Sequence, residues 1–357
     1  MGLGESLFDL CYLVLVIGMG VRLVLEKNKN AKLFGIMAIL LGAGDAFHLI
    51  PRVISHLSPG GFEAHALALS YGKMVTGITM TIFYLLYYFY YREISKDTSA
   101  GKKWIIIILS VVRIVLVLLP QNNWSTGGSY TMGIVRNIPF LIMGVLLMVW
   151  SFEKRQTDGL KHMGLLIFLS FLFYVPVVLW VDKVPALGSL MMPKTVAYVF
   201  IVVEGFKHFI KDFNADNLFN MAITYGVTGL CGGVFYREFT KYYAYTDATH
   251  LGKLHVHTLV LGMIGTAVFY LLVKNLDEET LKKLKKPLNI YNTGLIFTVA
   301  NMMLIGIKEV VSEGVPVVNQ AAMDGVSGIG HVLLGVGLIY TLIKIKNLTA
   351  AGALNIE

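Results

Sequence analysis

The stretch MGLLIFLSFLFYVPVVLWV, residues 163–181 of a chain of 357 residues, contains no charged side chain. A helix of this length rises about 28 Å, which is close to the ~30 Å hydrocarbon thickness of a bilayer. Apolar runs of similar length recur along the whole chain. Together they predict an all-α integral membrane protein.

The composition excludes an ordinary soluble protein. Hydrophobic residues make up 56% of the chain and charged residues only 15%, whereas about a quarter of the residues of a soluble domain are charged. Polar turn sequences separate eleven apolar runs that are each long enough to cross a bilayer. The eleven predicted transmembrane helices are 5–25, 33–54, 66–90, 104–120, 131–151, 163–181, 190–210, 218–236, 254–273, 287–307 and 325–344.

The distribution of basic residues predicts the orientation. The net charge of +8 comes from Lys and Arg in short loops, which is an orientation signal of membrane proteins rather than a sign of nucleic-acid binding. With the N-terminus outside, 20 of the 30 Lys and Arg residues fall at inner ends of spans or in inner loops. We therefore expect the N-terminus outside and the C-terminus inside. The polar link KDFNADN, residues 211–217, separates a predicted seven-helix bundle (1–213) from a predicted four-helix bundle (217–346).

Charged residues in the seven-helix bundle are predicted to converge near its outer face. In LLGAGDAFHLIPRVISH, residues 40–56, Asp45, His48 and Arg52 share one helix face. Pro51 is expected to bend or end that helix. Ionisable residues this deep in a span usually face the bundle interior or a cavity, so we expect the same of this group.

Other spans supply further charges at a similar predicted depth, with Arg113 near the middle of its span and Asp9 in the outer part of the first. Because bases outnumber acids, the expected ligand is an anion, such as a lipid phosphate or a carboxylate, or a quinone-like oxygen. The alternative is that the charges form ion pairs between helices, with long side chains snorkelling outward. The predicted ligand-binding residues are Asp45, His48, Arg52, Lys73, Arg136 and Lys194.

Histidines cluster at the outer end of the ninth predicted span, in THLGKLHVHTLVLGMIG, residues 249–265. His255 shares a face with small and polar residues, which favour helix–helix contact, and His257 lies on the neighbouring face. His331, between Gly328 and Gly335 of the eleventh span, is expected to reach the same depth. Two of these histidines could hold haem as axial ligands, and all three could hold a transition metal with Glu238 or Asp324. Interfacial or proton-relay histidines are the alternative.

Four segments of the C-terminal part carry a family resemblance: YGVTGLCGGVFYREFTKYY (225–243), KLHVHTLVLGMIG (253–265), YNTGLIFTVANMM (291–303) and SGIGHVLLGVGL (327–338). Over about residues 217–346 they resemble a bacterial four-helix membrane family, domain of unknown function 2871. The resemblance implies a four-helix unit in a bacterial plasma membrane, and it implies no activity. The segment GDAFHLIPR, residues 44–52, resembles bacterial seven-helix membrane proteins.

Three functions follow as hypotheses. The first is electron transfer or redox sensing, with haem or a transition metal in the four-helix bundle and an anionic or quinone-like ligand in the seven-helix bundle. The second is a proton-coupled transporter or lipid-handling protein that uses the Asp45–Lys194 group. The third is a metal-dependent membrane hydrolase, although His48 and the Glu204–His208 pair lie at opposite ends of their spans, some 20 Å apart. The expected partners are membrane lipid and a small molecule, without nucleic acid; the oligomeric state and any enzymatic activity are left open.

Overall fold

The computed structural model describes residues 2–211, 213–312 and 320–354, and within these ranges every regular element is helical. The α-helices are α1 (Gly2–Val24), α2 (Lys29–Leu57), α3 (Gly61–Ala64), α4 (Ala66–Ser95), α5 (Ala100–Leu118), α6 (Tyr130–Glu153), α7 (Met163–Trp180), α8 (Met191–Phe209), α9 (Ala215–Tyr242), α10 (His250–His257), α11 (Gly265–Val273), α12 (Glu278–Lys282), α13 (Lys285–Val311) and α14 (Gln320–Leu354). A π-helix, Thr258–Ile264, joins α10 to α11.

Ten of the described helices or helical segments are long and apolar enough to cross a membrane. An eleventh span results if α5 is joined to the 3₁₀ segment Pro120–Thr126, which is bent from it by 66°. The chain is therefore a multi-pass helical membrane protein, as predicted. The division into seven and four helices and the orientation of the termini stay predictions.

Polar side chains begin several helices at the predicted turns. Ser99 accepts a hydrogen bond from the backbone of Lys102 at the start of α5, and Ser129 does the same at the start of α6. Asn214, in the predicted link, caps α9. Pro51 does not end its helix, because α2 continues to Leu57.

The chain divides into two compact units. The N-terminal unit comprises Met19–Arg52 and Phe62–Ile210. The C-terminal unit comprises Lys211–Glu357 together with Met1–Gly18 and Val53–Gly61.

In the N-terminal unit, α5 has the residue pattern of a membrane helix that hides its polar side chains. Its buried residues are Ile106, Ser110, Arg113 and Val117, which recur at helical spacing. Its exposed residues are apolar and lie on the opposite side. This inverted arrangement places the guanidinium of Arg113 in the interior of the unit.

In the C-terminal unit, α13 is the most buried of the membrane-spanning helices. It packs against α14 with close backbone approach, because a Cβ atom at Gly294 would overlap the backbone of Leu334 and one at Gly337 would overlap that of Tyr291. The Tyr291 hydroxyl also donates a hydrogen bond to the carbonyl of Leu261 in the π-helix. The central helix thus supports the irregular segment that follows the histidines.

Candidate functional site

A buried arginine forms the centre of a polar group inside the N-terminal unit. Arg113 is 3% exposed, and its guanidinium carbon lies 3.2 Å from the ring centroid of Phe140. Nη2 is 3.4 Å from Oδ1 of Asn137. Nε and Nη1 are buried and have no hydrogen-bond partner among the described residues. A buried guanidinium with unsatisfied donors is unfavourable by itself, so the arrangement favours a further acceptor.

A second buried cation, Lys194 of α8, lies close to the first. Its ammonium is 4.5 Å from the ring centroid of Tyr174 and 5.4 Å from that of Tyr198. It also interacts electrostatically with Asp45 and with Arg113. Lys194 therefore has one carboxylate and one further buried cation in its surroundings.

Hydroxyl and amide groups complete this polar group. The Tyr174 hydroxyl donates to Oδ1 of Asn137 at 2.9 Å, which orients the amide next to Arg113. On the other side, the Tyr84 hydroxyl lies 3.1 Å from Oγ of Ser170 and donates to the Tyr198 hydroxyl at 3.4 Å. We call the residues Arg113, Asn137, Tyr174, Lys194 and Tyr198 the cation pocket.

A cavity of about 130 Å³ lies between α6 and α7 beside this pocket. Its walls are apolar except for Asn137 and Tyr174, which also belong to the cation pocket. A cavity of about 150 Å³ accommodates benzene in another protein, so this one has room for a single ring or a short chain. Because the surface of the cavity is almost entirely apolar, it suits the apolar part of a ligand.

The structure brings part of the predicted cluster together. His48 interacts electrostatically with Lys73, Arg52 and Lys194, and its buried Nδ1 has no hydrogen-bond partner in the described part of the chain. Lys73 itself is exposed, and Arg52 lies 5.8 Å from the ring centroid of Phe62. Burial therefore decreases across the cluster, from the buried Lys194 to the exposed Lys73.

Arg136 has a structural environment that the sequence did not indicate. Its Nη1 donates to Oδ1 of Asn122 at 2.6 Å, and its guanidinium lies 4.4 Å from the ring centroid of Trp124. The Asn122 amide and the Trp124 indole in turn donate to carbonyls at the end of α5. Arg136 thus anchors the connection between α5 and α6, because its guanidinium bonds to Asn122 and packs on Trp124 there.

Among the predicted histidines, His255 packs against α9 in the C-terminal unit. Its ring lies 3.6 Å from the position that a Cβ atom of Gly233 would take, and it stacks on Tyr236 with ring centroids 6.3 Å apart. Its Nδ1 is buried and has no hydrogen-bond partner among the described residues. Glycines of α9 pack nearby, since Gly226 and Gly229 meet Met263 and Leu259.

His257 and His331 are held differently. Nδ1 of His257 lies 2.9 Å from the carbonyl of Lys253, and Nδ1 of His331 lies 2.8 Å from that of Ser327. Such a bond leaves Nε2 as the atom available to a ligand. His331 is exposed, and a Cβ atom at Gly328 or Gly335 would meet nothing within 4 Å, so this face of α14 is open in the described part of the chain. α14 instead packs through its second glycine row, which contains Gly337.

The predicted metal ligands are not assembled into one group. Glu238 is exposed and pairs with Arg237, at 3.3 Å between Nε and Oε1. Asp324 accepts a hydrogen bond from Gln320. Within the described ranges, no three His, Cys, Asp or Glu side chains lie where they could hold a metal ion together. A metal or haem site at His255, His257, His331 and Glu238 stays a prediction.

Sequence reasoning missed the acceptor at the start of α10. Glu309 of α13 accepts from the His250 backbone at 2.8 Å and from the Thr249 hydroxyl at 2.9 Å, and its Oε1 lies 2.6 Å from Nδ1 of His250. The carboxylate thereby satisfies donors at a helix N-terminus, where negative charge is favourable. His250 is therefore held by a carboxylate, unlike the other two histidines of its segment.

The fold and the cation pocket define a helical multi-pass membrane protein with a polar site inside its N-terminal unit. Residues 216–348 match the family model described as "Protein of unknown function (DUF2871)". This confirms the resemblance predicted for the C-terminal part, whereas the resemblance of the N-terminal part is not shown. No curated protein and no solved structure matches the chain.

Proposed function

We propose that the N-terminal unit binds an anionic or quinone-like ligand that is soluble in the membrane. The observation that carries the proposal is Arg113, whose Nε and Nη1 are buried without partners beside a second buried cation, Lys194. A carboxylate, phosphate or carbonyl oxygen would satisfy these donors, and guanidinium groups are well suited to such acceptors.

The cavity between α6 and α7 supports an amphipathic ligand. The polar end would meet Asn137 and Tyr174, which connect the cavity to Arg113 and Lys194. The apolar remainder would contact the cavity walls and the surrounding lipid. Such a division between one polar end and an apolar body is typical of quinones and of fatty acids.

Ligand extraction tests this proposal. The protein is purified in mild detergent and extracted with organic solvent, and mass spectrometry then compares wild-type with Arg113→Gln and Lys194→Gln. We expect the wild-type to retain a lipophilic acid or quinone that both variants lose. The matched control is Lys103→Gln, which removes a charge from the first turn of the same helix. This variant should retain the ligand.

A titration with defined probes distinguishes the two ligand classes. Short-chain benzoquinone and naphthoquinone analogues and decanoate are added separately, and the rise in thermal unfolding temperature is recorded. A shift with quinones alone supports electron transfer or redox sensing, and a shift with decanoate alone supports lipid handling or transport. The proposal fails if extraction finds nothing and none of the probes shifts the unfolding of the wild-type.

We further propose, as a second candidate, that His255 is a haem or transition-metal ligand in the C-terminal unit. Its buried Nδ1, which has no hydrogen-bond partner among the described residues, supports this. An absorption spectrum of the oxidised and reduced protein, with elemental analysis of the same sample, provides the test. We expect a Soret band or about one metal per chain that His255→Ala loses. A colourless, metal-free protein purified without chelators would contradict it, and zinc that is lost in His48→Ala would instead favour a membrane hydrolase.

The proposal also includes the membrane in which the protein resides and the orientation of its termini. We infer a bacterial plasma membrane, with the N-terminus outside and the C-terminus inside, from the family resemblance and the distribution of Lys and Arg. Fusing a reporter that is active on only one side of the membrane to each terminus tests the orientation. Reporter activity at both termini on one side would contradict it.

A further inference from the structure

The cavity between α6 and α7 borders the lipid-facing surface of the N-terminal unit. Two of its lining residues on α6, Ile138 and Leu141, are 52% and 39% exposed. Because α6 is long and apolar enough to span the membrane, apolar side chains exposed along it face lipid. Asn137 and Tyr174, which belong to the cation pocket, line the same cavity. The cavity therefore extends from the bilayer to the edge of the cation pocket.

The other half of the interface between α6 and α7 is closely packed. A Cβ atom at Gly144 of α6 would overlap the ring of Phe171, and one at Gly164 of α7 would lie 2.9 Å from the ring of Phe152. Towards the start of α6 and the end of α7, the cavity takes the place of such contacts. The opening is therefore a local feature of a helix pair that is otherwise in close contact.

A hydrogen bond and two prolines mark this opening. At the end nearest the start of α6, the Tyr130 hydroxyl donates to the carbonyl of Leu179 at 2.9 Å. Each wall contains a proline beside its lining residues, Pro139 in α6 and Pro176 in α7. Proline removes a backbone hydrogen bond from the preceding turn and is a common cause of helix bends. The absence of these bonds lowers the cost of bending either wall around a bound chain.

The interior end of the cavity leads to the buried guanidinium of Arg113. Phe140 lines the cavity, and its ring centroid lies 3.2 Å from the guanidinium carbon. Oδ1 of Asn137, another lining residue, lies 3.4 Å from Nη2. The cavity and the guanidinium thus share two neighbouring side chains. A head group bound to Nε and Nη1 of Arg113, which have no partner among the described residues, would have the cavity as the route for its tail.

We propose that this cavity is a lateral portal, through which a ligand in the cation pocket keeps one hydrocarbon chain in the bilayer. The ligand then combines an oxygen-bearing head with a single chain, whether the head is a carboxylate or a quinone. A cavity of about 130 Å³ is close to the ~150 Å³ that holds one benzene molecule in another protein, so it takes one chain and excludes a lipid with two. The inference rests on the proposed function, because it concerns the ligand of the same pocket.

Tryptophan substitutions that fill the portal test the inference. Ile138→Trp places a large ring at the lipid side of the cavity, and Leu141→Trp does so about one turn further along α6. Val145→Trp is the matched control, because Val145 is 44% exposed on the same face of α6 as Ile138 and is not among the residues that line the cavity.

Two pairs of probes with matched heads report on the chain. The first pair is tetramethylbenzoquinone and its analogue in which a decyl chain replaces one methyl group, and the second is acetate and decanoate. Thermal-shift titration of the full-length protein in detergent measures each affinity. We expect Ile138→Trp and Leu141→Trp to bind the chain-bearing probe about tenfold more weakly or worse, because the ring occupies the path of the tail. Val145→Trp should bind it as the wild-type does, and the probe without a chain should bind all three variants as it binds the wild-type.

The outcomes separate this inference from the proposed function. If the wild-type binds a chain-bearing probe and a folded portal variant binds it equally well, the portal is wrong while the pocket stands. An equal loss in Val145→Trp, or a two-chain lipid in the solvent extract that Arg113→Gln loses, would also overturn the portal. If neither extraction nor any probe reveals binding to the wild-type, the proposed function and the portal fail together. The unfolding temperature of each ligand-free variant shows whether it is folded, and either portal variant is sufficient for the test.

Discussion

Replacing Arg113 by methionine should leave the ligand-free protein about as stable as the wild-type or make it more stable. The substitution removes two buried donors without partners, and each such group costs about 1–3 kcal/mol. It also removes the contact with the Phe140 ring, worth about 2 kcal/mol when desolvated, and a long hydrogen bond to Asn137 worth about 1 kcal/mol. The expected net change runs from a destabilisation of about 1 kcal/mol to a stabilisation of ~3 kcal/mol, the upper part of which is found when buried charges are replaced by apolar residues.

Arg136→Met is the matched control, because it removes the same side chain from a site where it has partners. It breaks the 2.6 Å hydrogen bond to Asn122 and leaves that amide oxygen without its donor. It also removes the contact with Trp124. We expect a destabilisation of about 2–4 kcal/mol. Arg136→Met should therefore be clearly less stable than Arg113→Met.

Thermal unfolding of delipidated protein, followed by circular dichroism, measures both variants. Circular dichroism is preferable to tryptophan fluorescence because Trp124 packs against Arg136. One kcal/mol corresponds to roughly 1–2 °C in a chain of this size. If Arg113→Met lowers the unfolding temperature as much as Arg136→Met, the Arg113 guanidinium is a structural anchor and the reasoning behind the cation pocket is wrong.

Three further outcomes are expected. Tyr174→Phe keeps the ring beside Lys194 but loses the hydroxyl, so the affinity for a bound quinone or acid should fall about fivefold to tenfold. Unchanged affinity in a thermal-shift titration would exclude this tyrosine from the site. Gly205→Ala should lower stability by about 2 kcal/mol or more, because its Cβ atom would overlap a phenylalanine ring. Gly328→Ala meets open space and should be neutral or slightly stabilising. Equal losses of stability in thermal unfolding would contradict this packing. The hydrogen bond from Lys102 lowers the pKa of Asp97 below its usual 3.8, so its stabilisation is present at neutral pH and is lost as the pH falls below that value; the stability gap between wild-type and Asp97→Asn should narrow between pH 6 and pH 3, and a gap that widens would refute the assignment.

The sequence predicted that charges would gather in the N-terminal part, but it could not rank them. Lys194 and Arg136 look alike in the sequence, since each is a base near the end of an apolar run. In the fold, Lys194 is buried on tyrosine rings, whereas Arg136 bonds to an asparagine from another segment. Arg113 stood out less than either, although its burial opposite the exposed apolar face of α5 makes it the centre of the pocket. Its position follows from the side of α5 that faces the unit, a property of tertiary packing.

The histidines also show that the sequence does not determine which face of a helix is packed. Small residues lie beside both His255 and His331, but only the face that contains His255 is packed in the described part of the chain. α14 carries two rows of glycine, and only the row with Gly337 meets α13. Small residues permit close approach on either side of a helix, so they do not determine which side is used.

The sequence by itself determined the class of the protein, because a bilayer requires about 20 apolar residues per span and backbone hydrogen bonds satisfied within each helix. That constraint is local, so it can be read from runs such as residues 163–181. Tertiary structure alone decided which cations have partners and which glycines are in contact. It also brought His162 to Glu204 and His208 to Asp158. These depend on the rotation of each helix and on contacts between residues far apart in the chain, and both arise only when the helices pack.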